Sequence, residues 1–581
     1  MTPRSQAPTP VVPTIPQLID YAARNYGDNP FLLRHTPKGW KGYSFRQAAD
    51  ATHRFTALLE REGVRVGDRV GLLSDNCPEW GLAYLAILES GAVVVPLDAQ
   101  LKAHEVGEIL VTAGATHCVV SARLMAVLQE ARRARSPELR VLSIDPHDAL
   151  PSFEEAQRVF PNAPAREQRS QPNDLAVIIF TSGTTGQAKG VMLSHANLLY
   201  NVEGVARTFE FGPGDRFLSI LPMHHTFEST GGLLCPMRVG ASVAYGRGLN
   251  SKELREDMVT SGTTLFIGVP LLYEKLMSAI QRGIDDAPIG PRLIARTLLG
   301  LTRLIRLTTG LRVGRTLARP LRRKAGLDRL RMFVTGAAAF APDVFWNYID
   351  FGWPVLEGYG LTETSPVVCA NRPHNPNPGA VGWPMMGVQV RIDAPGADGN
   401  GEIVVRGPNI MLGYYGNPAA TAEVLRDGWF STGDLGHILP DGRVRITGRL
   451  KNMIATAAGK KIYPEEIEVQ LMNSPYVLEV VVVGGKDPKG EREEVHAHLY
   501  PNLPALEAHA KAQGKICDES YMETTLKAEV EARCAVLAGY KRVKKVIVRQ
   551  SEFPKTTTGK IKRQNLAAGA QLAPSAAAIV A

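Results

Sequence analysis

At 581 residues the chain exceeds the roughly 250–300 residues at which one hydrophobic core stops growing, so it divides into domains. Its composition, 44% hydrophobic and 21% charged, is that of a globular protein, and no run of about 18 apolar residues is present to span a bilayer. A net charge of +9 suits polyanionic small molecules, and the lack of a basic module interleaved with aromatics argues against nucleic acid.

The cysteines (Cys77, Cys118, Cys235, Cys369, Cys517, Cys534) are scattered, with no C-x-x-C pair. That excludes a disulfide framework or a standard structural zinc site and suits a reducing compartment. The leading residues lack the apolar stretch of a secretory signal, so a cytoplasmic enzyme is expected.

Residues 1–16, rich in Pro and Thr, are expected to form a flexible lead, and helical spacing of apolar residues begins between Ile15 and Leu33. Val70-Gly-Leu-Leu and Ala92-Val-Val-Val-Pro read as buried strands, with a helix from Trp80 to Leu88 between them. Cys118-Val-Val, Val141-Leu-Ser-Ile and Leu175-Ala-Val-Ile-Ile-Phe continue the series. Unbroken Val and Ile runs alternating with helices predict a parallel sheet layered with helices. Between 386 and 450 the pattern alternates apolar and polar residues, as in Gln389-Val-Arg-Ile and Gly401-Glu-Ile-Val-Val-Arg, with turns at Asp398-Gly and Asp441-Gly. That predicts antiparallel hairpins. A compact α+β unit of about 115 residues follows from Lys451, and Leu566 to Ala581 reads as a disordered tail. The predicted fold class is α/β. A large N-terminal domain (17–448) of mostly parallel sheets and helices carries a small antiparallel β subdomain, and a mobile C-terminal α+β domain spans 449–565.

Thr181-Ser-Gly-Thr-Thr-Gly-Gln-Ala-Lys-Gly-Val follows the apolar strand directly. From Thr181 through Ser182, Gly183, Thr184, Thr185 and Gly186 every residue is a glycine or carries a hydroxyl, so backbone N–H groups and hydroxyls can converge on one anion. Such a nest suits a polyphosphate, and Lys189 adds positive charge. It is not a Walker loop. A flexible linker is the competing reading, but linkers rarely sit between a buried strand and a helix, which is where this loop is expected.

These residues resemble the phosphate loop of the adenylate-forming superfamily of acyl-CoA synthetases, peptide-synthetase adenylation domains and luciferases. The superfamily's other motifs follow in order: Pro222-Met-His-His-Thr-Phe-Glu, Thr335-Gly-Ala-Ala-Ala, Glu357-Gly-Tyr-Gly-Leu-Thr-Glu-Thr, Ser431-Thr-Gly-Asp, Gly448-Arg-Leu-Lys-Asn and Pro554-Lys-Thr-Thr-Thr-Gly-Lys. The resemblance covers the chain from about residue 30 to 565. It implies ATP and coenzyme A as co-substrates, Mg²⁺ as cofactor and a carboxylic acid as the group activated.

Carried over residue by residue, the resemblance assigns these roles. Lys560 stands beside the attacking carboxylate and the α-phosphate; on residue type alone it would read as a solvated lysine near Lys555, Lys562 and Arg563. Glu363, with Thr362, belongs to the catalytic motif, and Glu363 would hold Mg²⁺ against phosphate oxygens, the hard donors that ion prefers. Gly336, Ala337, Ala338, Glu357, Gly358, Tyr359 and Gly360 would surround the adenine, with Tyr359 stacked on it. Asp434 would accept the ribose hydroxyls, a turn-capping aspartate being the alternative. Arg449 would lie near ribose and phosphates. His225 takes the place of the acyl-pocket gate, His224 stays structural, and the two adjacent side chains are expected to point apart. Lys451 would be the hinge, and Gly459 would line the thiol's tunnel.

The pocket segment Met223-His-His-Thr-Phe-Glu-Ser-Thr-Gly lacks the Asp of amino-acid-activating relatives, which argues against peptide synthesis. Residues 291–331 hold Arg292, Arg296, Arg303 and Arg306 at helical spacing and a basic run through Arg331, against one acid, Asp328. A basic amphipathic helix is expected to seek a membrane surface, a solvated helix face being the alternative. Long-chain fatty acyl-CoA synthetases have a similar basic insertion, so the expected substrate is a fatty acid, long-chain, passed to coenzyme A. A medium-chain or aryl acid, or transfer to a carrier protein, stands as the alternative.

Overall fold

The computed structural model describes residues 8–166, 169–181, 188–336, 338, 340–455, 461–486, 493–555, 561 and 563. The chain divides into two units. The larger comprises residues 1–393, 403–432 and 438–445, and the smaller 394–402, 433–437 and 446–581.

Among the described residues the larger unit contains two extended sheets. The seven-stranded one runs in the order Gly413–Tyr414, Lys189–Ser194, Leu175–Thr181, Val93–Leu97, Arg69–Leu73, Ala115–Val120, Arg140–Ser143. Its strands from Leu175–Thr181 to Arg140–Ser143 are mutually parallel. Every residue of Val93–Leu97 is buried, as expected of β-branched residues covered on both faces. Helix Pro78–Glu89 is buried nearly all round, which explains why its sequence shows no polar stripe. The nine-stranded sheet places Pro30–Thr36, Ser242–Tyr245, Arg216–Ser219, Leu265–Gly268, Met332–Thr335 and Val355–Gly360 side by side and parallel. An aromatic core under this sheet joins Tyr273, Phe333, Tyr348 and Trp353, and the Tyr273 hydroxyl donates to the carbonyls of Phe266 and Val334.

Three details depart from the sequence reading. Helix Ile15–Tyr26 begins inside the segment expected to be a flexible lead, and Thr14 and Ile15 are already buried. The apolar residues Val191 and Leu193 alternate at period two, so Lys189–Ser194 is a strand. The segment after Thr181 therefore joins two antiparallel strands, not a strand and a helix. The basic segment is also not uniformly outward. Helix Ile289–Thr309 forms as its spacing predicts, but the Arg306 guanidinium turns inward to Asp350 at 2.7 and 2.8 Å and covers the Trp346 ring. Arg322 is buried and donates to the backbone carbonyls of Gly314, Arg315 and Phe351. No helix among the described residues is long and apolar enough to cross a membrane.

In the smaller unit, Val477–Lys486, Glu493–Pro501 and Lys545–Val548 form a sheet. Ile467, Leu471, Leu526 and Val530, from helices Pro464–Met472 and Glu519–Cys534, pack on Val480, Val482, Ala497 and Leu499. Lys555 pairs with Glu479 and Glu552, Arg563 with Glu468, and Lys555 bridges to Ile561 across the sequence that holds Lys560.

Candidate active site

The larger unit gathers the end of the phosphate loop and the expected metal ligand around one tyrosine. Thr181, the last residue of its strand, faces Lys189 across the antiparallel pair. On its other edge Lys189–Ser194 pairs with the short strand Gly413–Tyr414, setting Tyr414 opposite Val191. The Lys189 ammonium lies 4.8 Å from the centre of the Tyr414 ring, and the Tyr414 hydroxyl donates to Glu363 Oε1 at 2.9 Å. A cation over an aromatic face and a charge-assisted hydrogen bond thus link the two motifs. Burial, reinforced by the Glu363 charge, holds the Tyr414 phenol far above its ordinary pKa, so it remains a donor.

Glu363 occupies the single turn Thr362–Thr364. Its carbonyl accepts from Met411 N–H at 2.9 Å, and the amides of Asn201 and Asn409 hold the Thr364 carbonyl. The turn is fixed by side chains from two distant segments. A divalent cation fits here by its donor set. Glu363 presents a hard carboxylate with one oxygen committed to Tyr414. That suits Mg²⁺, which takes one or two carboxylates and completes its shell from phosphate and water.

Thr335 and Glu357 form the last pair of the parallel ladder between Met332–Thr335 and Val355–Gly360, at the carboxyl end of the first of these strands, the edge where open α/β sheets bind ligands. Among the described residues the Thr335 hydroxyl and Glu357 Oε2 are buried without a hydrogen-bond partner, and burial pushes the Glu357 carboxyl up to about 8. Orphaned polar groups at such an edge mark a place for a ligand or water. Gly336 approaches the Gly358 carbonyl closely, Ala338 is exposed, and Tyr359 is buried opposite Cys369. Gly360 has to be glycine, since a Cβ there would fall 1.7 Å from the Pro366 carbonyl oxygen.

His224 and His225 do not point apart; their ring centres are 4.0 Å apart, because the chain turns into the helical segment Thr226–Glu228 at this point. His224 is buried with its pKa pushed down to about 4, so its 3.6 Å approach to Asp98 pairs a neutral ring with the carboxylate. His225 is half-buried. Phe227, unassigned from sequence, brings its ring to 3.6 Å from where a Cβ on Gly336 would stand. Glu228 is 1% exposed, and no well-aligned hydrogen bond reaches either carboxylate oxygen among the described residues.

In the smaller unit Asp434 lies within strand Trp429–Ile438, not at a turn cap, and is buried. Arg449 Nε donates to Asp434 Oδ1 at 2.6 Å, with its guanidinium half in solvent. Lys451 is exposed in the turn Leu450–Asn452. Ser182, Gly183, Thr184, Thr185, Gly186, Ala337, Gly459 and Lys560 lie outside the described residues. Sequence reasoning missed Tyr414, although a Tyr-Tyr pair between Gly413 and Gly416 was a visible signal.

Sheet order and motif placement together define an adenylate-forming ligase. The chain belongs to the AMP-binding enzyme family: residues 19–415 match the AMP-binding enzyme domain and 466–560 its C-terminal domain. It is 30% identical to the long-chain-fatty-acid–CoA ligase heimdall of Drosophila melanogaster over 81% of this chain and 74% of that protein. It is also 30% identical to a feruloyl-CoA synthase of an Amycolatopsis species, over 79% and 83%. The crystal structure of ATP-bound MatB from Rhodopseudomonas palustris superposes with a TM-score of 0.74 at 27% identity, covering 94% of this chain and 97% of that one. The protein is accordingly an acid–thiol ligase of the acyl-CoA synthetase kind, with an acid, ATP and coenzyme A as expected substrates.

Proposed function

We propose that this protein activates a long-chain fatty acid as its acyl-adenylate and transfers the acyl group to coenzyme A. The observation that carries the adenylation chemistry is the Lys189–Tyr414–Glu363 chain. A carboxylate must attack a phosphate, so two anions meet, and the site has to supply fixed positive charge and fixed donors. Lys189 offers charge at the phosphate loop, and Tyr414 orients the Glu363 carboxylate. Bound Mg²⁺ would neutralise phosphate charge there, with Glu363 and Thr362 as the motif that receives it. Thr181, Ser182, Gly183, Thr184, Thr185 and Gly186 would wrap the phosphates, and the strand ends at Gly336 and Glu357 would border the adenine with Tyr359. Asp434, held by Arg449, would accept the ribose hydroxyls. Lys560 serves the first half-reaction and Gly459 the second, with Lys451 as hinge.

The long-chain assignment rests on the wording of the 357–368 motif and on the relative named for such acids; the feruloyl-CoA relative of equal identity supports an aryl acid instead. Peripheral contact of residues 291–331 with a bilayer, from a cytoplasmic location, belongs to the same reading, because such acids partition into lipid. Coenzyme-A-dependent AMP release, measured for acids from acetate to stearate with ferulate included, decides it. The highest kcat/KM is expected for a long saturated chain, and preference for ferulate or acetate would remove the assignment.

A further inference from the structure

Helix Ile289–Thr309 touches the body of the larger unit along one line. Ala295 and Thr302 are buried, Leu299 packs on the aromatic core, and Arg306 is drawn to Asp350. The outward line is apolar and bare: Ile289 is 75% exposed, Leu293 64%, Ile294 61%, Leu301 43%, Leu304 57% and Leu307 67%. At 3.6 residues per turn these six fall in one sector about 140° wide. Leu311, just past the helix, extends the row. Arg292, Arg296 and Arg303 line one border of the sector, and exposed Arg315, Arg319, Arg323 and Lys324 continue the charge beyond it. Scattered exposed leucines are ordinary, but six large apolar side chains gathered in one sector, with only Gly290, Thr297, Gly300 and Thr308 among them, on a helix whose other face is already packed, are not.

We propose that this helix lies in the plane of an anionic lipid surface. Ile289, Leu293, Leu301, Leu304 and Leu307 enter the boundary of headgroups and acyl chains, and Arg303 and Arg315 reach the phosphates, while Arg296 is paired with Asp285 at 2.8 Å. Charge selects lipid over a second copy of the chain. Self-association through the leucines would set two arginine borders against each other, and Asp328 is the only acid between residues 289 and 331. The Asp350–Arg306 pair fixes the inner face, so the helix presents its row without rearrangement. The inference deepens the peripheral contact of the proposed function and rests on that reading, and vesicle binding tests it separately from the choice of acid.

The test uses the full chain and vesicles of phosphatidylcholine with or without phosphatidylglycerol, at low and high salt. Leu293→Ser, Leu304→Ser and Leu307→Ser combined should weaken co-sedimentation with anionic vesicles roughly a hundredfold at either salt, because apolar burial is not screened. Arg303→Gln with Arg315→Gln should cost roughly tenfold, at low salt only. A fluorophore on Leu304→Cys should shift to the blue on anionic vesicles, relative to equally labelled wild type. AMP release on a short soluble acid without vesicles should be unchanged in every variant, which separates this test from that of the substrate. Undiminished vesicle binding by the serine variant, no shift of the fluorophore, or a wild-type dimer that the serine variant dissociates would each overturn the proposal.

Discussion

Replacing Glu228 by Gln should make the protein more stable at alkaline pH. The carboxyl is 1% exposed, no well-aligned hydrogen bond reaches either oxygen among the described residues, and burial lifts it from 4.5 to about 8, opposed in part by the nearby Ser219 hydroxyl. Below 4.5 folded and unfolded chains both carry the proton and the group is neutral in stability. Between 4.5 and about 8 the unfolded chain has released the proton and the folded chain keeps it, so stability falls as pH rises; above about 8 the loss is complete. At about 1.4 kcal/mol per pH unit the ceiling is about 5 kcal/mol. Relaxation and water entry around a buried charge bring the expected loss to about 2–3 kcal/mol. Glutamine keeps the shape and cannot ionise. The difference in urea unfolding midpoint, variant minus wild type, should therefore grow steadily from about pH 5 to about pH 9. An unpartnered amide would cost the same at every pH, so the slope carries the test, and Glu357, also raised to about 8, cancels between the two proteins. A flat difference, or one that shrinks with pH, would refute a buried neutral carboxyl at this position.

Tyr414→Phe removes the donor to Glu363 and should slow adenylation by about 10–100-fold, the usual worth of a hydrogen bond to a charged group, with the melting curve unmoved; undiminished acyl-adenylate formation would leave the tyrosine a packing residue. Lys560→Ala should slow adenylation by roughly 10²–10³ and largely spare thioester formation from supplied acyl-adenylate, and equal losses in both steps would remove its assigned role. Lys451→Pro fixes φ near about −65° and deletes an N–H, so acyl-adenylate should still form while thioester formation falls steeply; a parallel loss of both half-reactions would rule out the hinge.

The five parallel strands of the seven-stranded sheet were legible because stretches such as Val70 to Leu73 and Val93 to Leu97 are unbroken apolar runs, a pattern imposed by burial on both faces. The segment from Thr181 stood out because its glycines and hydroxyls can converge on one anion, and the 357–364 motif was read through its resemblance to the adenylate-forming superfamily. Tyr414 was not. It acts through a two-residue strand paired with Met192 and Val191 more than two hundred residues earlier, and no local period announces such a pairing. The inward turn of Arg306 was hidden for a related reason: its partner Asp350 belongs to another helix, so the spacing that grouped it with Arg303 carried no word of it. Glu228 was passed over because a lone glutamate reads as surface until burial is known.

The buried Arg322 has a consequence for anyone who edits the basic segment. Its planar fork ties together carbonyls on both sides of a chain crossing, at Gly314, Arg315 and Phe351, and a lysine has neither the reach nor the geometry to do the same. A library that randomises every arginine from 292 to 331 would therefore mix two unlike losses: variants that no longer meet a membrane, and variants whose chain crossing comes apart before any membrane is met. Holding constant Arg306, Arg322 and also Arg331, which grips the buried Asp215 at 2.6 and 2.7 Å, turns the same library into a cleaner map of the outward charges.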